Sequence, residues 1–338
     1  MIKKIALLLL FVAVFLTAGY AYVAKQVEQY IAQPLQLEEA QIFTIEPGTS
    51  FNRVLINLTQ SDLINPSDWV KLVRRFYPQL TQLRAGTYLL EPNLTLAEAL
   101  AGFKQGKEHQ FAITFIEGST FKEWLEILRS APYLEHELQE LNEAQIGQKL
   151  GLEYDKLEGL FLAETYHYTF GASDFDILKR AADKLQMVLD QHWAQRQEKL
   201  PLKSAYEALI LASIIEKETA IDSERERVAS VFINRLNKRM RLQTDPTVIY
   251  GMGDKYDGNI RKKDLRTPTP YNTYTIAGLP PTPIAMPGEA SIAAALNPEQ
   301  SNYLYFVASG TGGHVFSKTL AEHNRAVRAY LKQLRSNQ

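Results

Sequence analysis

Leu209-Ile-Leu-Ala-Ser-Ile-Ile-Glu-Lys-Glu-Thr219 is an apolar run that ends in two carboxylates two residues apart. Leu211, Ile214, Ile215 and Glu218 fall at i, i+3, i+4 and i+7, so an α-helix sets Glu218 on a face carrying three large apolar side chains. Glu216 is turned roughly 200° away at ~100° per residue, toward solvent or a neighbouring basic group. A carboxyl against an apolar wall loses hydration, and its pKa rises toward the range where it can release a proton near neutral pH. Two readings of Glu218 stand at this point. It is a general acid, or it ends a buried helix and pairs with a basic group.

Around that run, the chain is long enough, at 338 residues, for about two domains, each with its own core. Its 37 Lys and Arg nearly balance 38 Asp and Glu, which argues against a nucleic-acid partner, since that needs a clustered basic surface. There is no cysteine, hence no disulfide framework and no thiolate site. The histidines at 109, 136, 167, 192, 314 and 323 show no metal-ligand spacing, and no metal or cofactor is expected.

At the amino terminus, Lys3 and Lys4 precede an uncharged stretch from Ile5 to Ala24 that can cross a ~30 Å hydrocarbon core as a helix. Tyr20 and Tyr22 sit at its far end, where interfacial rings belong. The rival reading is a cleaved secretory signal, but the run is long for one and Ala18-Gly-Tyr20 is a poor cleavage site. The expectation is a transmembrane anchor over 1–24 and a juxtamembrane spacer over 25–41. With the lysines before the span, the start faces the cytoplasm and the rest lies outside.

Residues 42–152 read as a first domain. Ile42–Glu46 alternates as a strand, Pro47-Gly-Thr-Ser-Phe51 hands over to a helix through Val54, Leu55 and Leu58, and a second helix runs through Trp69, Leu72, Val73 and Phe76. Gly86–Leu90 closes the unit as a strand. This βααβ order resembles a LysM module, a small domain that binds glycans containing N-acetylglucosamine. A similar opening, Gly118-Ser-Thr-Phe121, follows Ile113–Ile116, and both openings also read as ordinary helix N-caps. Residues 122–152 read as amphipathic helices.

Residues 153–338 read as a second, mixed α+β domain with the 209–219 helix at its centre, giving an α+β chain overall. Leu157-Glu158-Gly159 to Glu164-Thr-Tyr-His-Tyr168 combines acids and aromatics. Helices are expected from Asp174 to about Glu198, from Ser223 with a Ser223/Glu226 capping box, and from Leu320 to Leu334, with a strand at Tyr303–Val307. Leu242–Gly251 and Thr267–Tyr274 read as loops rich in amides, hydroxyls and tyrosines, side chains suited to sugar hydroxyl and acetamido groups.

Leu211-Ala-Ser-Ile-Ile-Glu-Lys-Glu-Thr-Ala220, Val231-Phe-Ile-Asn-Arg-Leu236, Leu242-Gln-Thr-Asp-Pro-Thr-Val-Ile-Tyr-Gly251, Tyr271-Asn-Thr-Tyr274, Gly278-Leu-Pro-Pro281 and His314-Val-Phe316 occur in an order that resembles the endolytic murein transglycosylases, the YceG-like proteins of bacterial inner membranes. The resemblance implies cleavage of nascent peptidoglycan between N-acetylmuramic acid and N-acetylglucosamine. It makes Glu218 the catalytic acid. Ala163-Glu164 departs from the family's usual Pro-Asp. Candidates for holding the glycan are Gln243, Asp245, Tyr250, Asn272, Tyr274 and His314, each also able to serve as a loop-stabilising hydrogen bonder. Penicillin-binding proteins are the implied neighbours. Two rivals remain: a muramidase using Asp245 as nucleophile or base, and a wall-binding scaffold without catalysis.

Overall fold

The computed structural model describes residues 2–336, so Met1 and the end of the span expected to reach 338 lie outside the described residues. Among the described residues, helices and three two-stranded sheets make up an α+β fold. It divides into two compact units: residues up to Phe111 together with His167–Gly171, and Ala112–Tyr166 together with Ala172 onward.

The first unit begins with α1 (Ile2–Ile31), a helix long and apolar enough to cross a membrane. Its apolar residues from Ile2 to Leu16 stand exposed, including Leu7, Leu10, Phe11 and Phe15. The helix continues past the expected end at Ala24 because Val27, Tyr30 and Ile31 recur at helical spacing and are buried in the unit's core. The first part of the expected spacer, residues 25–31, is therefore helix. β1 (Gln41–Ile45), α2 (Phe51–Gln60), α3 (Val70–Phe76) and β2 (Gly86–Leu90) follow in the expected order. β1 and β2 pair antiparallel with Phe43 opposite Tyr88. Ser50 caps α2 by accepting from the Arg53 N–H, and Gly48 takes the left-handed turn before it (φ 80°). α4 (Leu96–Gln105) was not anticipated, although its Thr95/Glu98 capping box and left-handed Gly106 are both readable signals. Its buried face, Leu96, Leu100 and Phe103, joins the core.

The second unit contains β3 (Phe111–Thr114) from Ala112 on, then α5 (Phe121–Ser130) and α6 (Glu143–Leu150). Residues 112–152, which periodicity alone groups with the first domain, pack here. Phe115 stacks on Trp124 at 3.8 Å, and Phe161 lies 5.3 Å from Phe121 and 5.9 Å from Trp124, tying α5 to the segment that leads into β4 (Thr165–Tyr168). Thr120 caps α5 in a box with Glu123, so the second glycine opening is a helix N-cap like the first. Glu164, in the departure from the family's Pro-Asp, pairs with Lys184.

α7 (Asp174–Ala194), α9 (Asp222–Asn237), α10 (Asp245–Met252) and α11 (Glu289–Leu296) all pack against α8 (Ala205–Glu218). Every α8 residue from Ala208 to Ile215 is buried. The expected one-sided apolar face is thus an apolar circumference, as befits a helix surrounded by others. Its one polar member there, Ser213, donates to the Ile210 carbonyl (2.7 Å) and accepts from the Ile284 N–H (3.0 Å). β5 (Tyr305–Ala308) and β6 (His314–Ser317) form a hairpin, and α12 (Leu320–Ser336) ends the described chain.

Two local expectations are corrected. α9 begins at Asp222 with Ile221 as its cap, so Ser223 is inside the helix and no Ser223/Glu226 box forms; Asp222 pairs with Arg225 instead. Leu242–Gly251 is not a loop throughout, because Asp245–Met252 is helical. Pro246 sits in the first turn, where its missing N–H costs no helix bond.

Candidate functional site

Glu218 is the last residue of α8, and its carboxyl lines a cleft of about 370 Å³. At that end of a helix the unpaired carbonyls carry partial negative charge, which disfavours a carboxylate. Burial adds to this and raises the Glu218 pKa above the usual carboxylate range, as does nearby Asp245. The Thr244 hydroxyl donates to Glu218 Oε1 and holds the pKa down in part, with smaller help from His314 and Arg235.

Thr244 is aimed by a buried hydroxyl cluster. Its N–H donates to Thr273 Oγ1 (3.0 Å), and its carbonyl accepts from Thr247 Oγ1 (2.7 Å). Gln243 beside it adopts a left-handed backbone (φ 50°) and donates its N–H to the Thr273 carbonyl (3.2 Å). In the same cleft, Tyr274 donates to Asp245 Oδ1 at 2.6 Å, and burial together with that carboxylate pushes its phenol pKa far up. Arg235 is buried and held by the carbonyls of Leu304 and Leu242, each at 2.7 Å, with its guanidinium 5.1 Å from the Tyr305 ring centre. His323, stacked on Tyr305 at 5.2 Å, has its pKa lowered by burial and by Arg235.

Of the six glycan-binding candidates, Gln243, Asp245 and Tyr274 line the cleft with Glu218. The other three do not. Asn272 is buried and bridges its own loop, donating to the carbonyls of Asp264 and Thr267 and accepting from the Tyr274 N–H. His314 is bonded to Glu224 through its backbone N–H (3.0 Å) and Nδ1 (2.7 Å). Tyr250 lies at the far end of α10, beside Glu158. Each has the polar chemistry expected of a sugar contact but spends it on the protein. Glu216 meets neither solvent alone nor a base; its Oε2 accepts from the Gly288 N–H (3.0 Å). Thr244, Arg235, Tyr305 and His323 were missed as site residues, although Thr244 and Arg235 sit within the quoted motifs. Among the described residues, no cluster of His, Asp or Glu side chains could hold a metal ion.

The model of the YceG-like family matches residues 43–329. The chain belongs to the YceG-like family. A YceG-like protein of Listeria monocytogenes, solved by crystallography, is 30% identical and aligns over 86% of this chain and 99% of its own with a TM-score of 0.53. A protein of Bacillus subtilis named endolytic murein transglycosylase is 40% identical over 176 residues, 52% of this YceG-like chain and 48% of its own length. One of the same name from Streptococcus pneumoniae serotype 2 is 25% identical over 349 residues, 91% of this chain and 61% of its own. The chain thus spans about half to three fifths of the length of these curated relatives.

Proposed function

We propose that this YceG-like chain is an endolytic peptidoglycan lytic transglycosylase, which cuts the N-acetylmuramic acid–N-acetylglucosamine bond of nascent strands and so ends their elongation. The observation that carries the proposal is the carboxyl of Glu218, raised in pKa by burial and lining an open cleft. Protonated Glu218 donates to the glycosidic oxygen as the C1–O bond breaks, and the sugar takes on oxocarbenium character. The muramoyl O6 then attacks C1 and gives its proton to the Glu218 carboxylate. That closes a 1,6-anhydro ring and restores the acid. Because the nucleophile belongs to the substrate, one carboxyl serves both steps.

Gln243, Asp245 and Tyr274 are the assigned glycan contacts, with Tyr274 orienting Asp245. Tyr250, Asn272 and His314 support the loops that present them. Asp245 in the same cleft favours one second reading, a muramidase in which it activates water. Mass spectrometry of strands released from sacculi separates the two. Anhydro ends support transglycosylation, and ends that have gained water support the muramidase.

The working unit is placed at the periplasmic face of the inner membrane, with α1 as a single-pass anchor and its start cytoplasmic; the lysines ahead of the apolar stretch support this orientation. The LysM-like reading is kept for the β1-α2-α3-β2 unit, with its element order and antiparallel closure as support. Penicillin-binding proteins are proposed neighbours in that membrane.

A further inference from the structure

The second unit has another, larger concavity, of about 940 Å³, that the chemistry above does not use. Its walls come from α5, from Lys156 and Glu158, and from the carboxyl end of α10. Two features set its ligand class. Tyr250, Tyr256 and Tyr271 line it with ring faces, the hydroxyls of Tyr250 and Tyr271 being bonded to Glu158 and Thr282. Charges of both signs line it as well: the Arg129 and Glu126 side chains are exposed there, and neither makes a hydrogen bond or ion pair with a described residue. Lys156 is exposed and pairs with the half-buried Glu143 (3.0 Å), which also accepts from the Leu157 N–H, so the lysine's ammonium keeps donors for a ligand. An uncharged glycan has no use for such groups, whereas a short peptide bearing carboxylates and an amine does.

One helix joins the groove to the cleft. Asp245 in the cleft and Tyr250 in the groove stand on α10 five residues apart, about 7.5 Å along its axis at ~1.5 Å per residue and roughly 140° around it, so a ligand that occupies both turns past the helix. A four-residue extended peptide reaches about 14 Å at ~3.4 Å per residue. We propose that this groove is the subsite for the peptide stem of the glycan strand whose muramoyl residue occupies the Glu218 cleft. The assignment rests on the proposed reading of that cleft, and it makes the protein a reader of strands that still carry their peptides.

The test uses full-length protein with Glu218→Gln, in detergent, titrated calorimetrically with a muramoyl saccharide bearing its peptides and with the same saccharide stripped of them. The peptide-bearing ligand binds about tenfold more tightly, the size one charge-assisted contact supplies. Arg129→Glu, at an exposed position, removes most of that preference, and Lys156→Glu serves as the second variant if the first fails to fold. Equal affinities for the two ligands, as a protein segment in the groove would produce, overturn the assignment. So does a preference that survives both variants. If wild-type protein released no anhydro-ended fragments while the preference persisted, the chemistry at Glu218 would fail and the groove would stand.

Discussion

Glu158 is a buried carboxyl whose ionisation opposes folding, and replacing it with Gln exposes that cost. It is 5% exposed, it accepts from the Phe121 N–H at the start of α5 (2.9 Å), and Tyr250 also bonds to it. Those bonds favour the anion, but burial outweighs them and pushes the pKa from 4.5 up to about 7. Between those two values the unfolded chain gives up this proton first. The native state therefore holds more protons, and stability falls as pH rises through that interval. At ~1.4 kcal/mol per pH unit, the full loss is about 3 kcal/mol, complete above pH ~7. Glu158→Gln has no proton to lose, so its stability relative to wild type climbs by about 3 kcal/mol from pH ~4.5 to ~7.5. Urea unfolding of the full chain in detergent, followed by tryptophan fluorescence at a series of pH values, measures the difference directly. A difference that stays flat, or that grows toward acid pH, refutes the reasoning.

Thr244→Val keeps the side chain's shape and removes the donor to Glu218, so the Glu218 pKa rises further and the alkaline limb of the activity profile moves to higher pH. A limb moving the other way means that the hydroxyl serves the neutral acid. Tyr274→Phe strips Asp245 of a 2.6 Å donor, and cleavage of sacculi should slow about tenfold, the scale of one hydrogen bond to a charged group. Unchanged turnover would show that Asp245 needs no orienting partner. Ser213→Ala leaves the buried Ile284 N–H without an acceptor and should cost about 1–3 kcal/mol of unfolding free energy. A neutral result in denaturant titration would mean that the neighbouring backbone finds another partner.

The elements with strong local signals were legible in the sequence. The Leu211, Ile214, Ile215 and Glu218 spacing placed the acid at the end of a buried helix, and Ser50 and Thr120 marked two helix starts. What escaped is what only tertiary contacts decide. α11 is rich in alanine and packs on α8, so it carries little periodic contrast. α5 and α6 look like any amphipathic helices, and only the stack of Phe115, Trp124 and Phe161 assigns the first of them to the second unit. Polar motif residues proved hardest to rank. Asn272 and His314 have the same donors as a sugar ligand needs, and sequence cannot tell that Asp264, Thr267 and Glu224 already use them. Thr244 and Arg235 stand in the quoted motifs, but their aim at the cleft depends on contacts with Thr273 and Leu304, distant in the chain.

The central claim is that one shielded acid performs the cut, and the most direct measurement is the yield of anhydro-ended strands from sacculi treated with full-length wild-type or Glu218→Gln protein. Loss of a general acid predicts a fall of roughly 10²–10⁴-fold, with circular dichroism and thermal unfolding showing the variant still folded. A folded variant that still released these ends within a few-fold of wild type would contradict the account.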